Sequence, residues 1–188
     1  MKSEKIYING TWTLPASGQV IDVISPSDGQ VFAQIADGGA EDIDQAVTAA
    51  RASLSGEWSR MAPADRGRLL HKLSELIKRD ADELANIEAR DTGKPMSQAR
   101  ADIAACARYF EFYAGAADKV HGETIPYQVE YFVSVIREPR GVTGHIIPWN
   151  YPAQMFGRTL APALATGNAA VLKPAEEACM SCLKLAEL

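Results

Sequence analysis

An asparagine that follows a predicted strand has the chemistry to stabilise an oxyanion. Asn150 comes after the apolar run Val142–Ile147 and the short segment Pro148-Trp149. Ligands of open parallel sheets bind beyond the carboxyl ends of the strands. An amide is a neutral donor that does not titrate, so it can hold a developing negative charge at any working pH. The alternative is that Asn150 only caps a helix predicted from Pro152, and position alone favours this alternative.

A lysine and a glutamate stand at the end of a second predicted strand. The segment Lys173-Pro174-Ala175-Glu176 follows the apolar run at residues 169–172. An acidic residue at this point can accept hydrogen bonds from two ribose hydroxyls, and the lysine can bond the same ribose. The alternative is a solvated loop pair, with carboxylates in the first turn of a following helix whose dipole favours them. Taken alone, the segment favours the solvated pair.

Other common signatures of redox and nucleotide-binding sites are absent or incomplete. The Gly-x-Gly-x-x-Gly fingerprint is missing, since residues 141–144 place their two glycines before a strand instead of after it. Cys179 and Cys182 have Cys-x-x-Cys spacing, but they lack the thioredoxin-like context or second ligand pair that redox or metal use requires. Cys106 falls on an apolar helix face and is interpreted as an inert thiol. The scattered histidines predict no metal site: His71, His121 and His145.

Composition and charge exclude several classes of protein. The chain has 188 residues, of which 47% are apolar and 23% charged, the profile of a globular domain with its own core. A net charge of −5 argues against nucleic acid and anionic membranes as partners. The sequence has neither a secretory signal at its start nor an apolar run near the roughly 18 residues of a membrane helix. Since its three cysteines predict no disulfide framework, we expect a reduced, cytoplasmic protein.

The elements that must position these groups follow from short sequence signals. Asn9-Gly10 predicts a β-hairpin with a type I′ turn, and the turn residues at 25–29 separate two further strands. Apolar spacings of three and four predict four helices. The predicted strands are Ile6–Ile8, Thr11–Thr13, Val20–Ile24, 31–35, 131–136, Val142–Ile147 and 169–172. The first two helices have apolar faces built on Ile43 to Leu54 and on Leu69 to Ile77. The third runs from Asp82 to Arg90 and ends at Thr92-Gly93, and the fourth runs from about Ser97 to Val120.

A βαβ unit is predicted over residues 141–173, with a right-handed crossover. Its two strands are short apolar runs, which is typical of strands buried on both faces. Pro152 begins the helix between them, and Gly167-Asn168 ends it. The last run, at residues 178–188, predicts a helix without a stop signal, so we expect the sequence to be a fragment.

Five segments together resemble the aldehyde dehydrogenase superfamily. Each is unspecific by itself, but they occur in the right order and span the whole chain, which strongly disfavours the cap and solvated-pair alternatives. The segments are YINGTW at 7–12, DTGKP at 91–95, GHIIPWNYP at 144–152, APALATGN at 161–168 and VLKPAE at 171–176.

The resemblance implies a role for each matching position. Asn150 matches the oxyanion-hole asparagine, whose amide holds the carbonyl oxygen of the bound aldehyde. Lys173 and Glu176, with Pro174 and Ala175 between them, match the segment that binds the adenosine ribose. The implied cofactor is NAD, and NADP is less favoured because Glu176 would face its 2′-phosphate. The positions that match the lining of the nicotinamide half are Ile146, Ile147, Pro148 and Trp149.

The family mechanism requires residues that this sequence does not contain. A cysteine thiolate attacks the aldehyde, hydride passes to NAD(P)⁺, and a glutamate activates the water that hydrolyses the thioester. By resemblance, the nucleophile, the base and the glycine-rich turn lie beyond Leu188, and Cys106, Cys179 and Cys182 cannot replace the nucleophile. We therefore expect residues 1–188 to be inactive alone.

The resemblance also implies substrate contacts on the helix after Asn150. Arg158 matches a position where semialdehyde dehydrogenases of the family often carry arginine to hold a substrate carboxylate, a task that suits a guanidinium fork. The alternative is a helix-surface arginine. The other positions matched to substrate are Tyr151 and Met155. The implied substrate is an aldehyde, and a semialdehyde is the specific expectation.

The expected fold is α/β, with a Rossmann-like parallel sheet, N-terminal strands and a helical layer. Residues 1–120 and 140–188 are expected to form part of the NAD-binding domain, and 121–139 part of a projecting oligomerisation segment. The catalytic domain is expected to be absent, and the complete protein to be a homodimer or homotetramer. Two other classes stay open: a non-catalytic binding or structural protein on the same domain, and a redox module built on Cys179 and Cys182.

Overall fold

The computed structural model describes residues 4–188 and has the α/β architecture that the sequence predicts. The strands are β1 (Ile6–Ile8), β2 (Thr11–Thr13), β3 (Val20–Ile24), β4 (Val31–Ala36), β5 (Glu123–Ile125), β6 (Val133–Val135), β7 (Val142–Ile147) and β8 (Ala169–Pro174). The helices are α1 (Ala40–Ser53), α2 (Glu57–Arg60), α3 (Pro63–Arg79), α4 (Ala81–Thr92), α5 (Met96–Ala116), α6 (Pro152–Ala165) and α7 (Met180–Leu185).

The helical layer is centred on α5, which packs against α3, α4 and α6. Ile103 and Phe110 of α5 are almost completely buried, and burying an apolar side chain of this size contributes about 2 kcal/mol. Gly157 of α6 lies so close to α5 that an added Cβ would meet the carbonyl oxygen of Cys106 at 2.9 Å. The absence of a side chain at Gly157 therefore permits the close packing that holds α6 in place.

The predicted βαβ unit is present, with β7 and β8 parallel and α6 between them in sequence. Pro152 is the first residue of α6, where its missing N–H costs no helical hydrogen bond. The other three strand pairs are antiparallel: β1 with β2, β3 with β4, and β5 with β6. The first of these is the predicted hairpin, with positive φ angles at Asn9 and Gly10.

Several sequence predictions are corrected by the structure. α5 ends at Ala116 instead of near residue 120, and α7 ends at Leu185. Ile43 and Leu69 were predicted to face the core but are exposed. β7 is not buried on both faces, because Ile147 is buried but Ile146, which points to the opposite face, is 85% exposed. Helix α2 and strand β5, of four and three residues, are too short to show a periodic pattern.

The predicted oligomerisation segment contains the β5–β6 hairpin and a set of exposed apolar side chains. They are Ile125, Tyr127, Val129, Tyr131, Phe132, Val135 and Ile136. Their role in oligomerisation stays a prediction. No helix among residues 4–188 combines the length and apolar composition needed to cross a membrane.

Candidate active site

The two candidate subsites begin at neighbouring strand ends. In the parallel register, Ile146 pairs with Lys173 and Ile147 pairs with Pro174. The chain then forms two turns, which we name the β7 turn (residues 148–151) and the β8 turn (residues 175–179). Two parallel strands that end at one level place their following turns side by side, as the sequence predicts.

The predicted nicotinamide-lining stretch is largely open to solvent. Ile146 and Trp149 are 85% and 62% exposed, and Pro148 is exposed as well. Ile147 differs, because its side chain is buried in the main core. Ile147 therefore anchors the end of β7, while its neighbours present apolar surface on which a planar ring can pack.

Asn150 does not cap α6 in the structure. The N-cap residue is Tyr151, with no side-chain cap hydrogen bond, and its carbonyl accepts the first helical bond from the Met155 N–H at 2.9 Å. Among the hydrogen bonds found within residues 4–188, none uses the side-chain amide of Asn150. The amide is exposed, and its N–H groups are available to an oxygen outside the chain.

Lys94 lies against the β7 turn and was not predicted as part of the site. Its Nζ donates to the main-chain carbonyl of Asn150 at 3.1 Å, to Glu88 Oε1 at 2.9 Å and to Asp102 Oδ2 at 2.7 Å. An ammonium has three N–H donors, so these bonds use all of them. Nζ also lies 4.9 Å from the ring centre of Tyr151, within the range of a cation–π contact.

The Lys94 cluster (Glu88, Lys94 and Asp102) is nearly closed to solvent. The Lys94 side chain is 11% exposed, and its two partners are 0% and 2% exposed. Gln98 donates a further bond to Asp102 at 2.9 Å. Burial acts to lower the pKa of Lys94, but the hydrogen bonds to Asp102 and Glu88 outweigh it and the pKa lies above its usual value. Lys94 is therefore an ammonium at neutral pH, and removing it alone leaves two buried carboxylates without a cation.

The sequence contained a signal for Lys94 but not for its role. Lys94 belongs to the segment at 91–95 that supports the family resemblance, and it follows Gly93, whose φ of 74° ends α4 as predicted. Its partners lie on two helices and on a turn 56 residues further along the chain. No local spacing connects these positions, so sequence reasoning missed them.

The same segment reaches the chain that follows the β8 turn. The Met180 N–H, at the start of α7, donates to Asp91 Oδ2 at 2.8 Å in a buried bond. Burial, the largest cause, raises the pKa of Asp91 to about 7. Asp91, in the last turn of α4, and Lys94, just after that helix, thus attach the start of α7 and the β7 turn to one short stretch of chain.

Lys173 and Glu176 form an ion pair, with Nζ and Oε2 2.5 Å apart and both side chains more than half exposed. The hydrogen bond from Lys173 lowers the pKa of Glu176, so the carboxylate is ionised at neutral pH. Pro174 and Ala175 between them are partly buried. A carboxylate beside an ammonium offers both acceptors and donors to a vicinal diol, which fits the ribose of a dinucleotide. The same geometry fits a solvated surface pair.

The three predicted substrate residues lie along one side of α6. Tyr151, Met155 and Arg158 are spaced by four and three residues, which places them in one row. Tyr151 and Arg158 are exposed and Met155 is partly buried. Among residues 4–188, no carboxylate forms a salt bridge with Arg158. The guanidinium is therefore available to an external anion.

The cysteines give no support to a redox function. Burial raises the pKa of all three thiols, to about 12 for Cys179. Cys179 packs in a small cluster with Val23 and Ile35, whereas Cys182 packs in the main core. Two buried thiols with raised pKa values in different clusters are poor nucleophiles. Within residues 4–188, no group of three His, Cys, Asp or Glu residues is arranged to hold a metal ion.

Comparisons with known proteins agree with the resemblance seen in the sequence. The model of the aldehyde dehydrogenase family matches residues 12–188. Retinal dehydrogenase 2 of Homo sapiens is 44% identical over 191 aligned residues, which cover 100% of this chain and 37% of the relative. The chain therefore spans less than two fifths of the length of this relative.

Solved structures show the same fold. A crystal structure from Burkholderia cenocepacia, of a protein assigned as an aldehyde dehydrogenase, is 62% identical with a TM-score of 0.96, covering 97% of this chain and 39% of the other. The structure of PnpE in complex with nicotinamide adenine dinucleotide is 39% identical with a TM-score of 0.96, covering 100% of this chain and 38% of the other.

Proposed function

This chain belongs to the aldehyde dehydrogenase family, and we propose that it contributes the oxyanion donor and the cofactor contacts for the NAD-dependent oxidation of an aldehyde to a carboxylic acid. The observation that carries the proposal is the unused amide of Asn150 on an anchored turn. The ion pair of Lys173 and Glu176 at the neighbouring strand end gives further support.

The proposed role of Asn150 is to donate a hydrogen bond to the aldehyde oxygen as it gains negative charge. A donor that is already positioned needs no reorganisation in the transition state, and one such donor typically changes turnover by about a hundred- to a thousandfold. When bound, the nicotinamide accepts the hydride. The nucleophilic thiolate and the general base are proposed to come from parts of the protein that this sequence does not contain, because the thiols within residues 4–188 are buried.

The proposed cofactor contacts divide between the end of β7 with its turn and the end of β8 with its turn. The exposed surface of Ile146, Pro148 and Trp149 suits the nicotinamide half, and Lys173 and Glu176 suit the adenosine ribose. The ionised carboxylate of Glu176 favours NAD over NADP, since it would repel a 2′-phosphate.

The proposed substrate is an aldehyde that carries a carboxylate, such as a semialdehyde. The argument rests on Arg158, whose guanidinium is exposed on the row that it shares with Tyr151 and Met155. A planar guanidinium can bind a carboxylate through two parallel hydrogen bonds.

The remaining assignments follow from the same family membership. We propose that residues 1–120 and 140–188 belong to the NAD-binding domain and that 121–139, with its exposed apolar side chains, contributes to oligomerisation. A homodimer or homotetramer in the cytoplasm is the proposed state of the complete protein.

A non-catalytic cofactor-binding protein on the same domain is the second candidate. It is favoured by one observation, that all three thiols are buried and have raised pKa values. Under this alternative, the complete protein binds NAD⁺ but produces no NADH from any aldehyde.

The test compares Asn150→Ala with the unchanged enzyme in the complete protein. We expect kcat to fall by about a hundredfold while the KM for NAD⁺ changes little, because the lost bond forms only in the transition state. Asn86→Ala is the matched control, since Asn86 is an exposed asparagine on α4. Normal turnover of the Asn150 variant, or its failure to fold, would contradict the proposed role.

A further inference from the structure

We propose that Lys94 is a positioning residue for the oxyanion donor, acting through the main chain of Asn150. The inference rests on the proposed function, because it concerns how the Asn150 amide is held and not whether it is used. Lys94 does not touch the reacting atoms in this arrangement. It fixes the backbone from which the amide projects.

The contact geometry gives Lys94 a task beyond neutralising charge. Two of its N–H donors bind Glu88 and Asp102, and the third binds the main-chain carbonyl of Asn150 at 3.1 Å. That carbonyl belongs to the peptide unit that joins Asn150 to Tyr151. Holding this unit restricts the backbone angles next to Asn150, and these angles set the direction of its side chain.

The partners make this anchor rigid. Glu88 and Asp102 belong to α4 and α5, two helices that pack against each other in the main core. Both carboxylates are buried, so the ammonium cannot leave them without losing two charge-assisted bonds. The ring of Tyr151 closes the cluster at 4.9 Å on the side of the β7 turn.

Rigidity at this turn has catalytic value because an oxyanion donor must be aligned before charge develops. A misplacement of about 1 Å can reduce turnover by about a hundredfold. Within residues 4–188, the side chain of Asn150 forms no hydrogen bond, and only its main-chain carbonyl does so. The main-chain bond from Lys94 is therefore the polar contact that places it.

The experiment is a double-mutant cycle in the complete enzyme, using Lys94→Met and Asn150→Ala alone and combined. We expect Lys94→Met to reduce kcat by about ten- to a hundredfold, with the KM for NAD⁺ within about twofold of the unchanged enzyme. In the Asn150→Ala background, the same substitution should reduce kcat by less than about threefold, because the positioned group is gone. Lys78→Met is the matched control, as Lys78 also bonds two carboxylates but at the exposed surface.

A second variant separates positioning from folding. Glu88→Gln, Asp102→Asn and Lys94→Met together remove all three charges, so no buried carboxylate is left unpaired. This triple variant should fold. It should reduce kcat in the enzyme that retains Asn150, but it should cause little further reduction in the Asn150→Ala background. Equal losses in both backgrounds, or unchanged turnover in the triple variant, would overturn the proposal for Lys94. Normal turnover of Asn150→Ala alone would instead overturn the proposed function.

Discussion

The β7 and β8 turns end neighbouring strands but are held in opposite ways. The β7 turn is bonded to a buried ammonium that two buried carboxylates orient. The charged groups at the end of β8, Lys173 and Glu176, bond to each other at the surface. The difference matches the proposed tasks, because an oxyanion donor must be aligned beforehand, whereas a ribose contact can adjust as the cofactor binds.

The largest expected effect follows from what the two turns lack. Residues 1–188 alone should give no oxidation of any aldehyde, because the β7 turn contains no thiol and Cys179, in the β8 turn, is buried like the other two cysteines. The measurement is NADH absorbance with a panel of aldehydes, and the complete enzyme is the positive control. NADH production above the buffer background would show that residues 1–188 contain a reactive nucleophile, which would contradict the prediction.

The next effect concerns the buried attachment of the chain after the β8 turn. Asp91 has a pKa raised from 3.8 to about 7, so the native state holds its proton more tightly than the unfolded chain. Its favourable contribution is fully present below pH 3.8 and is lost as the pH rises through about 7. The shift corresponds to at most about 4 kcal/mol of stability. At pH 8 Asp91 is therefore mostly an ionised carboxylate in a buried position, and this lowers the stability of the native state relative to acidic pH.

Asp91→Asn should remove this dependence, because an amide oxygen can still accept the Met180 N–H without a charge. In the complete enzyme, the variant should melt at a higher temperature than the unchanged protein at pH 8, and the difference should be clearly smaller at pH 5, where much of the contribution is still present. Asp82→Asn is the control, since Asp82 is an exposed carboxylate on the same helix. A difference in melting temperature that is the same at both pH values would contradict the assignment.

Sequence reasoning succeeded where a few adjacent residues decide the structure. Asn9-Gly10 forms the predicted turn and Gly93 the predicted left-handed helix end, because positive φ angles there require such residues. The βαβ unit was also predicted, since Pro152 and Gly167-Asn168 mark the ends of its helix. These signals were enough to place Asn150 and Glu176 at neighbouring strand ends.

Sequence reasoning failed where contacts join distant parts of the chain. The Lys94 cluster combines α4, α5 and the β7 turn, and its members show no common spacing. The exposure of β7 was mispredicted for a related reason, because a strand is buried on both faces only when other elements pack over both faces of its sheet. An apolar run by itself does not tell which elements cover the two faces of a sheet.

A smaller effect should appear at the surface pair. We expect the complete enzyme to prefer NAD⁺ over NADP⁺ by about ten- to a hundredfold in kcat/KM. The ionised carboxylate of Glu176 would lie near the 2′-phosphate, while Lys173 attracts the same phosphate and limits the repulsion. Glu176→Gln should narrow the preference, because it removes the charge and keeps an acceptor.

The measurement is cofactor kinetics with both nucleotides, and Glu187→Gln is the control, a glutamate that is likewise paired with a lysine three residues before it. If the two turns differ as proposed, the Glu176 variant changes KM more than kcat, which is the reverse of Asn150→Ala. A wild type that uses NADP⁺ equally well, or a variant with an unchanged ratio, would remove Glu176 from cofactor choice.

The smallest effect should come from Arg158, which follows the anchored turn on α6 but is itself exposed. An exposed guanidinium is screened by water and salt, so its attraction for a substrate carboxylate should change kcat/KM by only about two- to fivefold. Arg158→Gln should lower the efficiency on succinic semialdehyde and leave that on butanal unchanged, and added salt should reduce the difference. Arg100→Gln, at another exposed helical arginine, is the control. If kcat/KM is equal for the two aldehydes and Arg158→Gln does not change it, Arg158 does not bind the substrate. The row on α6 that follows the anchored turn would then have no part in substrate selection.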